Sequence, residues 1–259
     1  DGMSLEVYAF ASYGNDSIAL LEWFHENRGP RGEANVTAIY SDTGWSAPWW
    51  KERVERAEAW VRSLGFKAER IESEGFVPLA IRKKGFPRNG MQFCTSELKI
   101  VPAMRWLEER DPDKEAVCAV GVRREESRSR STWPEWVEES DKHGGRSLWA
   151  PLVTYNKERR DALIVRSGFE VLPHRSMECF PCINASRADL RMLDEAKISE
   201  IEAIEQRMGV SSEGKPRTLF RPYRHQGAVG IREVLRWAHS ERGEYEPPTS
   251  GCDSGFCGG

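Results

Sequence analysis

A six-residue segment between a short apolar run and a helical pattern has the residue types of a phosphate-binding loop. Backbone N–H groups at the start of a helix, together with the positive end of the helix dipole, attract an anion. Hydroxyl side chains add donors, and a carboxylate in such a loop can hold Mg²⁺ or orient the loop. An ordinary N-terminal helix cap uses the same residue types, so the segment alone leaves both interpretations open. Its residues are Ser12, Tyr13, Gly14, Asn15, Asp16 and Ser17.

A second group of small polar residues follows the next predicted strand, Asn35–Tyr40. This group is Ser41 followed by Asp42, Thr43 and Gly44. In parallel sheets, ligands bind at the carboxyl ends of the strands. Two successive strand ends that carry small polar residues and glycine therefore predict a single crevice for a ligand.

Six cysteines are candidates for metal binding or sulfur chemistry. Cys179 and Cys182 have the Cys-x-x-Cys spacing of a redox pair, a zinc half-site or one edge of an iron–sulfur cluster. Soft thiolates favour iron–sulfur clusters or zinc over harder ions. Cys118 lies within an apolar strand pattern and is predicted to be a small buried hydrophobic residue. The other cysteines are Cys94, Cys252 and Cys257.

Two arginine-rich clusters are candidates for binding a polyanion. Arginine binds phosphates and aromatic rings stack on bases, so the clusters fit either a nucleic acid or the phosphates of a nucleotide. A solvated charged surface explains the first cluster equally well. The first comprises Arg123, Arg124, Arg128 and Arg130, and the second Arg217, Phe220, Arg221, Tyr223, Arg224 and His225.

Alternating strand and helix patterns must position these groups. Strands separated by helices predict βαβ units and a Rossmann-like, doubly wound parallel sheet in an α/β fold. Residues 124–148 are polar and charged, which predicts a mobile loop. The predicted strands are Leu5–Ala11, Asn35–Tyr40, Phe66–Ile71 and Ala116–Gly121. The predicted helices are Ser17–Glu26, Trp49–Leu64, Ser96–Arg110, Asn156–Ser167, Arg187–Met208 (as one helix or a pair) and Ile231–His239.

Length and composition limit the classes of protein. A chain of 259 residues accommodates one large domain, or one domain with a small appendage. The net charge of −3 excludes a global basic bias toward nucleic acid, so any polyanion site must be local. No apolar run approaches the roughly 18 residues of a membrane helix, and we expect a cytoplasmic protein without membrane association. The predicted organisation is a nucleotide-binding domain over 3–185, a helical region over 186–240 and a flexible tail over 241–259.

Five motifs occur in a fixed order between residues 5 and 185. They are the loop 12–17, the triplet Asp42-Thr43-Gly44, Cys94 before Leu98-Lys99 and Pro102, Gly121 with Arg123, Glu126 and Ser127, and Pro151-Leu152 before Cys179-x-x-Cys182. In this order they resemble the adenine nucleotide α-hydrolase (PP-loop) superfamily and, within it, the PAPS-reductase-like branch. The chain departs from that branch at Tyr13, where the family has glycine. A bulky side chain beside the phosphates is expected to alter which nucleotide or phosphate is contacted.

The resemblance implies roles for the site residues. The loop 12–17 would hold the phosphates of ATP, or of PAPS or APS, with Mg²⁺, while Asp42, Thr43 and Gly44 would lie near the adenosine. Lys99 and Arg123 would hold anionic oxygens and form the catalytic set with Asp16. Cysteines in these family positions imply a [4Fe–4S] cluster, with zinc or no metal as alternatives. The candidate ligands are Cys94, Cys179, Cys182, Cys252 and Cys257.

Three functions fit this resemblance. The first is an ATP pyrophosphatase that activates a DNA or RNA backbone for sulfur insertion, similar to the enzymes of DNA phosphorothioation systems. A cysteine desulfurase or another sulfur carrier would be its partner. The second is a PAPS or APS reductase, although reductases end in a Glu-Cys-Gly-hydrophobic-His motif that the residues around Cys252 and Cys257 match poorly. The third is a non-catalytic nucleotide-binding module, which would rarely retain Asp16, Lys99 and Arg123 together.

Overall fold

The structure, a computed structural model, describes residues 5–27, 34–88 and 90–246. Two units divide the chain, the first formed by Asp1–Phe76 with Cys94–Phe180 and the second by Val77–Phe93 with Pro181–Gly259. The domain limits drawn from the sequence at residues 185 and 240 stay predictions. The tail cysteines Cys252 and Cys257 lie outside the described residues.

A six-stranded sheet forms the centre of the first unit, in the order β3-β2-β1-β4-β6-β5. All neighbours pair in parallel except β5, which runs antiparallel to β6 at the edge. The chain runs outward from β1 to β3 on one side and then returns to place β4 on the other side of β1. This reversal is a topological switch point, where doubly wound sheets bind ligands. The strands are β1 (Leu5–Phe10), β2 (Ala34–Asp42), β3 (Lys67–Glu72), β4 (Val117–Ala119), β5 (Trp136–Ser140) and β6 (Arg146–Trp149).

The helices of the described residues follow the predicted alternation. None of them combines the length and apolar character that a membrane span requires. A short π-helical turn, Ser96–Ile100, precedes α5. The helices are α1 (Asn15–Asn27), α2 (Trp50–Ser63), α3 (Phe76–Arg82), α4 (Phe93–Thr95), α5 (Val101–Arg110), α6 (Lys157–Arg166), α7 (Arg187–Leu190), α8 (Glu195–Met208) and α9 (Ile231–His239).

Helix α5 covers one face of the sheet in the first unit. Leu107 packs into an apolar cluster with Tyr8 of β1, Ile39 of β2 and Cys118 of β4. Burial of such side chains removes apolar surface from water and holds helix and sheet together. Burial also raises the pKa of Cys118 to about 12. The prediction of Cys118 as a buried core residue and that of a doubly wound parallel sheet are both confirmed.

Residues 124–148 are the largest departure from the sequence-based expectation of a loop. They contain β5, the start of β6 and the 3₁₀ turn Asp141–His143. Trp136 of β5 pairs with Trp149 of β6, and their ring centroids are 6.2 Å apart. Most side chains of β5 are exposed because it is an edge strand, so the apolar alternation that marks a half-buried strand is missing. Pairing with β6 determines this strand, and that pairing is not a local property of the sequence.

The second unit has its own aromatic cluster, which includes part of the second arginine-rich segment. Phe220 and His225 are both buried, with ring centroids 5.5 Å apart, and His225 contacts Trp237 at 4.7 Å. These two rings therefore contribute to packing and are not exposed for stacking on bases. Arg217 donates hydrogen bonds to the carbonyls of Met208 and Val210, so it closes a turn of this unit.

Candidate nucleotide-binding site

A pocket of about 460 Å³ lies in the first unit at the carboxyl ends of β1, β2 and β4. Its position is the switch point of the sheet, the place where phosphate-binding loops of such folds lie. The lining of the pocket combines apolar residues with a polar set, which we call the rim. The apolar residues include Phe10, Ile39, Ile100, Ala103, Leu107 and Val120, and the rim includes Ser12, Ser17, Ser41, Thr95, Lys99, Arg130, Lys142, His143 and Glu178.

A second cavity, of about 530 Å³, lies at the opposite edge of the same sheet. Its lining includes Leu5 and Glu6 at the start of β1 and Lys67 at the start of β3. Strand starts carry neither the loop nor the helix N-terminus that binds phosphate in this fold class. The smaller pocket at the carboxyl edge is therefore the candidate site.

The hydroxyl groups of the two loop serines lie next to each other at the N-terminus of α1. The backbone N–H of Ser12 donates to Oγ of Ser17 at 3.0 Å, and the two Oγ atoms are 3.2 Å apart. Gly14 permits a close approach, because a Cβ there would lie 3.0 Å from Cβ of Ser176. Both hydroxyl groups line the pocket, where they can donate to an anionic oxygen.

Asn15 anchors the loop and does not line the pocket. Its side-chain amide donates to the carbonyl of Leu172 and accepts from the Leu172 N–H, both at 2.9 Å. This pair of hydrogen bonds ties the start of α1 to a segment 157 residues away in the chain. We conclude that the Asn15 side chain positions the loop, while its backbone N–H belongs to the helix N-terminus that faces the pocket.

The Tyr13 side chain lies in the core. Its backbone has φ of +57°, a left-handed conformation that favours glycine and that turns the side chain inward here. The ring is fully buried and stacks on Tyr40 with centroids 5.8 Å apart, and burial raises the pKa of Tyr13. Nε of Arg53 donates to the Tyr13 carbonyl at 2.7 Å, which helps to hold this backbone. The expectation that a bulky Tyr13 side chain lies beside the phosphates is therefore corrected.

Replacing Tyr13 with phenylalanine is expected to raise the free energy of unfolding by about 1 kcal/mol. The Tyr13 hydroxyl is buried without a hydrogen-bond partner among the described residues, and a buried unpaired hydroxyl is destabilising. Urea unfolding measures the change. Tyr245→Phe is the matched control, because the Tyr245 hydroxyl donates to Glu233 at 2.9 Å and its loss should be destabilising. An unfolding midpoint for Tyr13→Phe below that of the wild type would contradict the prediction.

Asp16 is the centre of an ion-pair network behind the loop. Its Oδ1 accepts from Nε of Arg123 at 2.7 Å and lies 3.5 Å from Nη1 of Arg160. Both arginine side chains are buried, and Nη1 of Arg123 also pairs with Glu125 at 3.2 Å. Of the two roles predicted for Asp16, orienting the loop is the one that these contacts describe. The roles of Asp16 in catalysis and of Arg123 in holding anionic oxygens stay predictions.

Gly121 brings the end of β4 against this network. A Cβ at Gly121 would lie 2.7 Å from the carbonyl oxygen of Asp16, a distance that would displace the loop. Arg160 has no corresponding signal in the sequence, because it is one of several charged residues in α6. Only the fold shows that its guanidinium reaches the loop.

Lys99 and Glu178 form an ion pair on the rim of the pocket. The Thr43 hydroxyl donates to the Glu178 carbonyl at 2.9 Å and so holds this pair in place. Asp42 accepts from the N–H of Gly44 at 2.8 Å, which closes the turn after β2. Ser41 is the residue at this strand end that lines the pocket, and Thr43 is buried below it. The structure thus brings Lys99 to the loop serines and adds Glu178, which the sequence motifs did not indicate.

Three further side chains reach the rim from the segment that was expected to be a loop. They are Arg130, Lys142 and His143. Arg130 also pairs with Glu126. Lys99, Arg130 and Lys142 together give the rim three cationic residues, which favour an anionic ligand in a partly desolvated pocket.

The candidate cluster ligands are not assembled in the described part of the chain. Cys94, Cys179 and Cys182 are each half-buried. Within residues 5–27, 34–88 and 90–246, no group of three or more His, Cys, Asp or Glu side chains is arranged to hold a metal ion. Cys94 and Cys179 belong to the first unit and Cys182 to the second.

A curated relative, the uncharacterized 37.8 kDa protein in the gpa 5′ region of Escherichia phage 186, is 31% identical over 128 residues. That match covers 44% of this chain and 36% of the relative, so the chain spans about a third of the relative's length.

Two solved structures resemble the chain at lower identity. A phosphoadenylyl-sulfate (PAPS) reductase from Candida auris, in a phosphate complex, has a TM-score of 0.46 and 15% identity over 63% of this chain and 73% of its own. A U34-tRNA thiolase from Methanococcus maripaludis, with its [4Fe-4S] cluster, has a TM-score of 0.49 and 13% identity over 96% and 76%.

A sequence model of one family covers most of the nucleotide-binding region. It is described as the phosphoadenosine phosphosulfate reductase domain and matches residues 6–191, well over half of the chain. The matched residues include the loop 12–17, Lys99 and Arg123. The chain therefore belongs to the phosphoadenosine phosphosulfate reductase domain family, a branch of the PP-loop superfamily.

Proposed function

We propose that the chain is an ATP pyrophosphatase that forms AMP and pyrophosphate and activates a nucleic-acid backbone for sulfur insertion, as in DNA phosphorothioation. The observation that carries this proposal is the pocket at the switch point, which places Ser12, Ser17 and Lys99 on one rim. Membership of a family of nucleotide-binding enzymes supports the adenine nucleotide as ligand. The proposal includes a nucleic acid as the acceptor and a protein such as a cysteine desulfurase as the sulfur donor.

The reaction begins with attack of an acceptor oxygen on the α-phosphorus of ATP. The bond from the α-phosphorus to the bridging oxygen breaks, pyrophosphate leaves with the electron pair, and the acceptor becomes adenylylated. A sulfur nucleophile at the oxidation level of sulfide then forms a bond to the activated phosphorus of the acceptor, and AMP leaves with the bridging oxygen and its electron pair. Charge builds on the leaving oxygens, so fixed donors and cations at that point lower the barrier by several kcal/mol. The loop serines and Lys99 supply such groups, and Mg²⁺ bound with ATP would supply further positive charge.

The Lys99–Glu178 ion pair poises the lysine for this role. Glu178 holds the ammonium group at the rim before the nucleotide enters. A phosphate oxygen competes for the same ammonium group, since charge-assisted bonds to phosphate are strong. Glu178 is itself held through its backbone by Thr43, so the lysine is presented from a fixed place. The pair lowers the freedom of Lys99 without removing it from the pocket.

A reductase acting on PAPS or APS is the second candidate, favoured by the description of the matched family. A cysteine thiolate would attack the sulfur of the sulfonucleotide, form an enzyme thiosulfonate and expel the nucleotide. A thiol reductant such as thioredoxin would then release sulfite with formation of a disulfide. Both nucleotides carry an adenosine and an anionic chain, so the cationic and hydroxyl groups of the rim support either of them as the ligand.

An anaerobic assay separates the two candidates. The protein is incubated with Mg²⁺ and ATP, or with PAPS or APS and reduced thioredoxin, and pyrophosphate, AMP and sulfite are measured. Pyrophosphate and AMP from ATP, lost in a Ser12→Ala/Ser17→Ala double variant, would support the pyrophosphatase. Sulfite with ATP unchanged would establish the reductase. Binding of nucleotide without any product, including in the presence of single-stranded DNA or RNA, would indicate a non-catalytic module.

An iron–sulfur cluster on Cys179 and Cys182, with one or two further ligands among Cys94, Cys252 and Cys257, is part of the proposal. We expect Cys179→Ser to lose bound iron and brown colour after anaerobic purification, because a hydroxyl is a poor replacement for a thiolate ligand. Iron per chain and the visible absorbance measure this. Cys118→Ala is the control, since Cys118 is buried within β4. If the wild-type protein is purified without iron or colour, the prediction of a cluster is wrong.

A further inference from the structure

A histidine reaches the pocket from a turn that belongs to none of the five sequence motifs. His143 ends the 3₁₀ turn Asp141–His143 between β5 and β6, and its ring lies against Phe10 with centroids 5.6 Å apart. Phe10 is the last residue of β1, directly before the phosphate loop. His143 lines the same pocket as Ser12 and Lys99.

We propose that His143 is a specificity residue that donates a hydrogen bond to the pyrophosphate part of bound ATP, on the side of the loop next to β4. The inference rests on the proposed function in taking ATP as the ligand. It adds a contact that distinguishes a nucleotide with a phosphate chain from AMP.

A buried arginine fixes the position of this histidine. The side chain of Arg146 is fully buried, and its Nη1 donates to the His143 carbonyl at 3.2 Å. The same guanidinium pairs with Asp111 at 2.5 Å and donates to the Leu107 carbonyl at 3.0 Å, both near the end of α5. Gly144 has φ of +67°, and a Cβ there would lie 2.9 Å from Nη1 of Arg146. The turn is therefore built on the core, as a binding residue requires.

The surroundings of His143 favour the neutral form of its imidazole and give one ring nitrogen a polar partner. Burial, with Lys142 and Arg146 nearby, lowers the pKa of His143 to about 4. Nδ1 lies 2.8 Å from Oγ of the buried Ser140. When the Ser140 hydroxyl donates to Nδ1, the single ring proton is on Nε2, the remaining polar atom of the ring. Such a ring supplies a directional donor without adding another charge to the rim.

The turn Asp141–His143 precedes β6, which runs parallel to β4, so His143 starts from the amino end of β6 and reaches the pocket where its ring meets Phe10 at the end of β1. Along the sheet the order is β2, β1, β4, β6. The adenosine is predicted near Asp42, Thr43 and Gly44 at the end of β2, and the phosphate loop follows β1. A nucleotide whose adenosine lies at β2 extends its phosphate chain past Phe10 at the end of β1, and Phe10 is the residue that the His143 ring contacts within the pocket. Arg130 and Lys142 line the pocket together with His143, and their charges suit a polyanion.

Calorimetric titration with three probes tests the inference. The probes are AMP, pyrophosphate and an ATP analogue with a methylene bridge between the α- and β-phosphates, each with Mg²⁺. In His143→Ala we expect the affinities for the analogue and for pyrophosphate to fall about tenfold or more, with little change for AMP, because a hydrogen bond to a charged group is lost. His143→Gln, which keeps an N–H donor, should recover part of the loss. His174→Ala is the control, because His174 belongs to the same unit but does not line this pocket.

A positioning role for Ser140 gives a second readout. Ser140→Ala should weaken binding of the ATP analogue but not binding of AMP. ¹⁵N NMR of the wild-type His143 imidazole at neutral pH should show the ring proton on Nε2. Equal affinity of wild type and His143→Ala for the analogue would overturn the inference, as would an equal loss for AMP or a ring proton on Nδ1. Wild-type protein that binds pyrophosphate through His143 but no adenine nucleotide would support the anion subsite and reject the proposed function. A His143→Ala variant that binds the analogue like the wild type and still forms pyrophosphate from ATP would do the reverse, because it would reject the subsite and leave the proposed function standing.

Discussion

Replacing Asp16 with alanine is expected to abolish nucleotide turnover and to lower the free energy of unfolding by about 1 to 3 kcal/mol. Asp16 is the shared acceptor of Arg123 and Arg160, whose side chains are both buried. Removing one partner of a fully buried pair costs about 3 to 5 kcal/mol because a charge is left unpaired. The expected loss of stability is smaller here, since the Asp16 side chain is 35% exposed. In addition, Arg123 keeps its ion pair with Glu125, and Arg160 keeps its ion pair with Asp161. Turnover is lost because the loop that these contacts orient forms the phosphate site.

Product formation from ATP and urea unfolding, measured on the same variant, separate the two effects. Asp161→Ala is the matched control: Asp161 accepts from Nε of Arg160 at 2.8 Å but does not touch the loop. It should lose a comparable ion pair and retain turnover. Asp16→Asn keeps the shape of the side chain, so a folded Asp16→Asn variant without turnover would assign the loss to charge. Turnover at the wild-type rate in Asp16→Ala would contradict the assignment of this loop as the active site.

The second large effect is expected at Arg146. Arg146→Ala should lower the free energy of unfolding by about 3 to 5 kcal/mol, the cost of breaking a buried ion pair. The Arg146 side chain has no exposed surface, and that of Asp111 is only 10% exposed. Asp111 would keep hydrogen bonds from the N–H groups of Glu115 and Ala116 at 3.0 and 3.3 Å, which places the expected value at the lower end. The end of α5 and the turn before β6 would lose their common anchor.

Urea unfolding measures this change, and Arg110→Ala is the control. Arg110 is also at the end of α5, but its side chain is 53% exposed and it pairs with Glu69 at 3.3 Å. Exposed pairs contribute about 1 kcal/mol or less, so Arg110→Ala should be close to wild type. Arg146→Lys keeps the charge but not the planar fork, and should recover only part of the loss. Equal stability of Arg146→Ala and Arg110→Ala would contradict the buried-anchor role.

Local patterns in the sequence were enough to predict the central architecture and one side of the site. Apolar runs of strand length separated by helical patterns predict parallel βαβ units, and the sheet has that organisation. Because carboxyl ends of parallel strands meet at one edge, Ser12 and Ser17 after β1 and Ser41 at the end of β2 were expected in one crevice, and they line one pocket. The order of motifs likewise indicated the family. The residue-by-residue roles, the cluster cysteines and the domain limits remain predictions.

The other side of the site was decided by tertiary structure alone. Arg160, Glu178 and His143 come from segments far from the loop in sequence, and no local pattern records where their side chains meet. The edge strand β5 forms by pairing with β6, which overrides its polar composition. Tyr13 shows at a single residue that the local sequence does not determine where a side chain lies. Its position in the loop was read directly from the sequence, but a left-handed backbone angle and packing on Tyr40 turn its side chain into the core. Periodicity and spacing act over a few residues, whereas burial, ion pairing and strand pairing depend on contacts that exist only after the chain has folded.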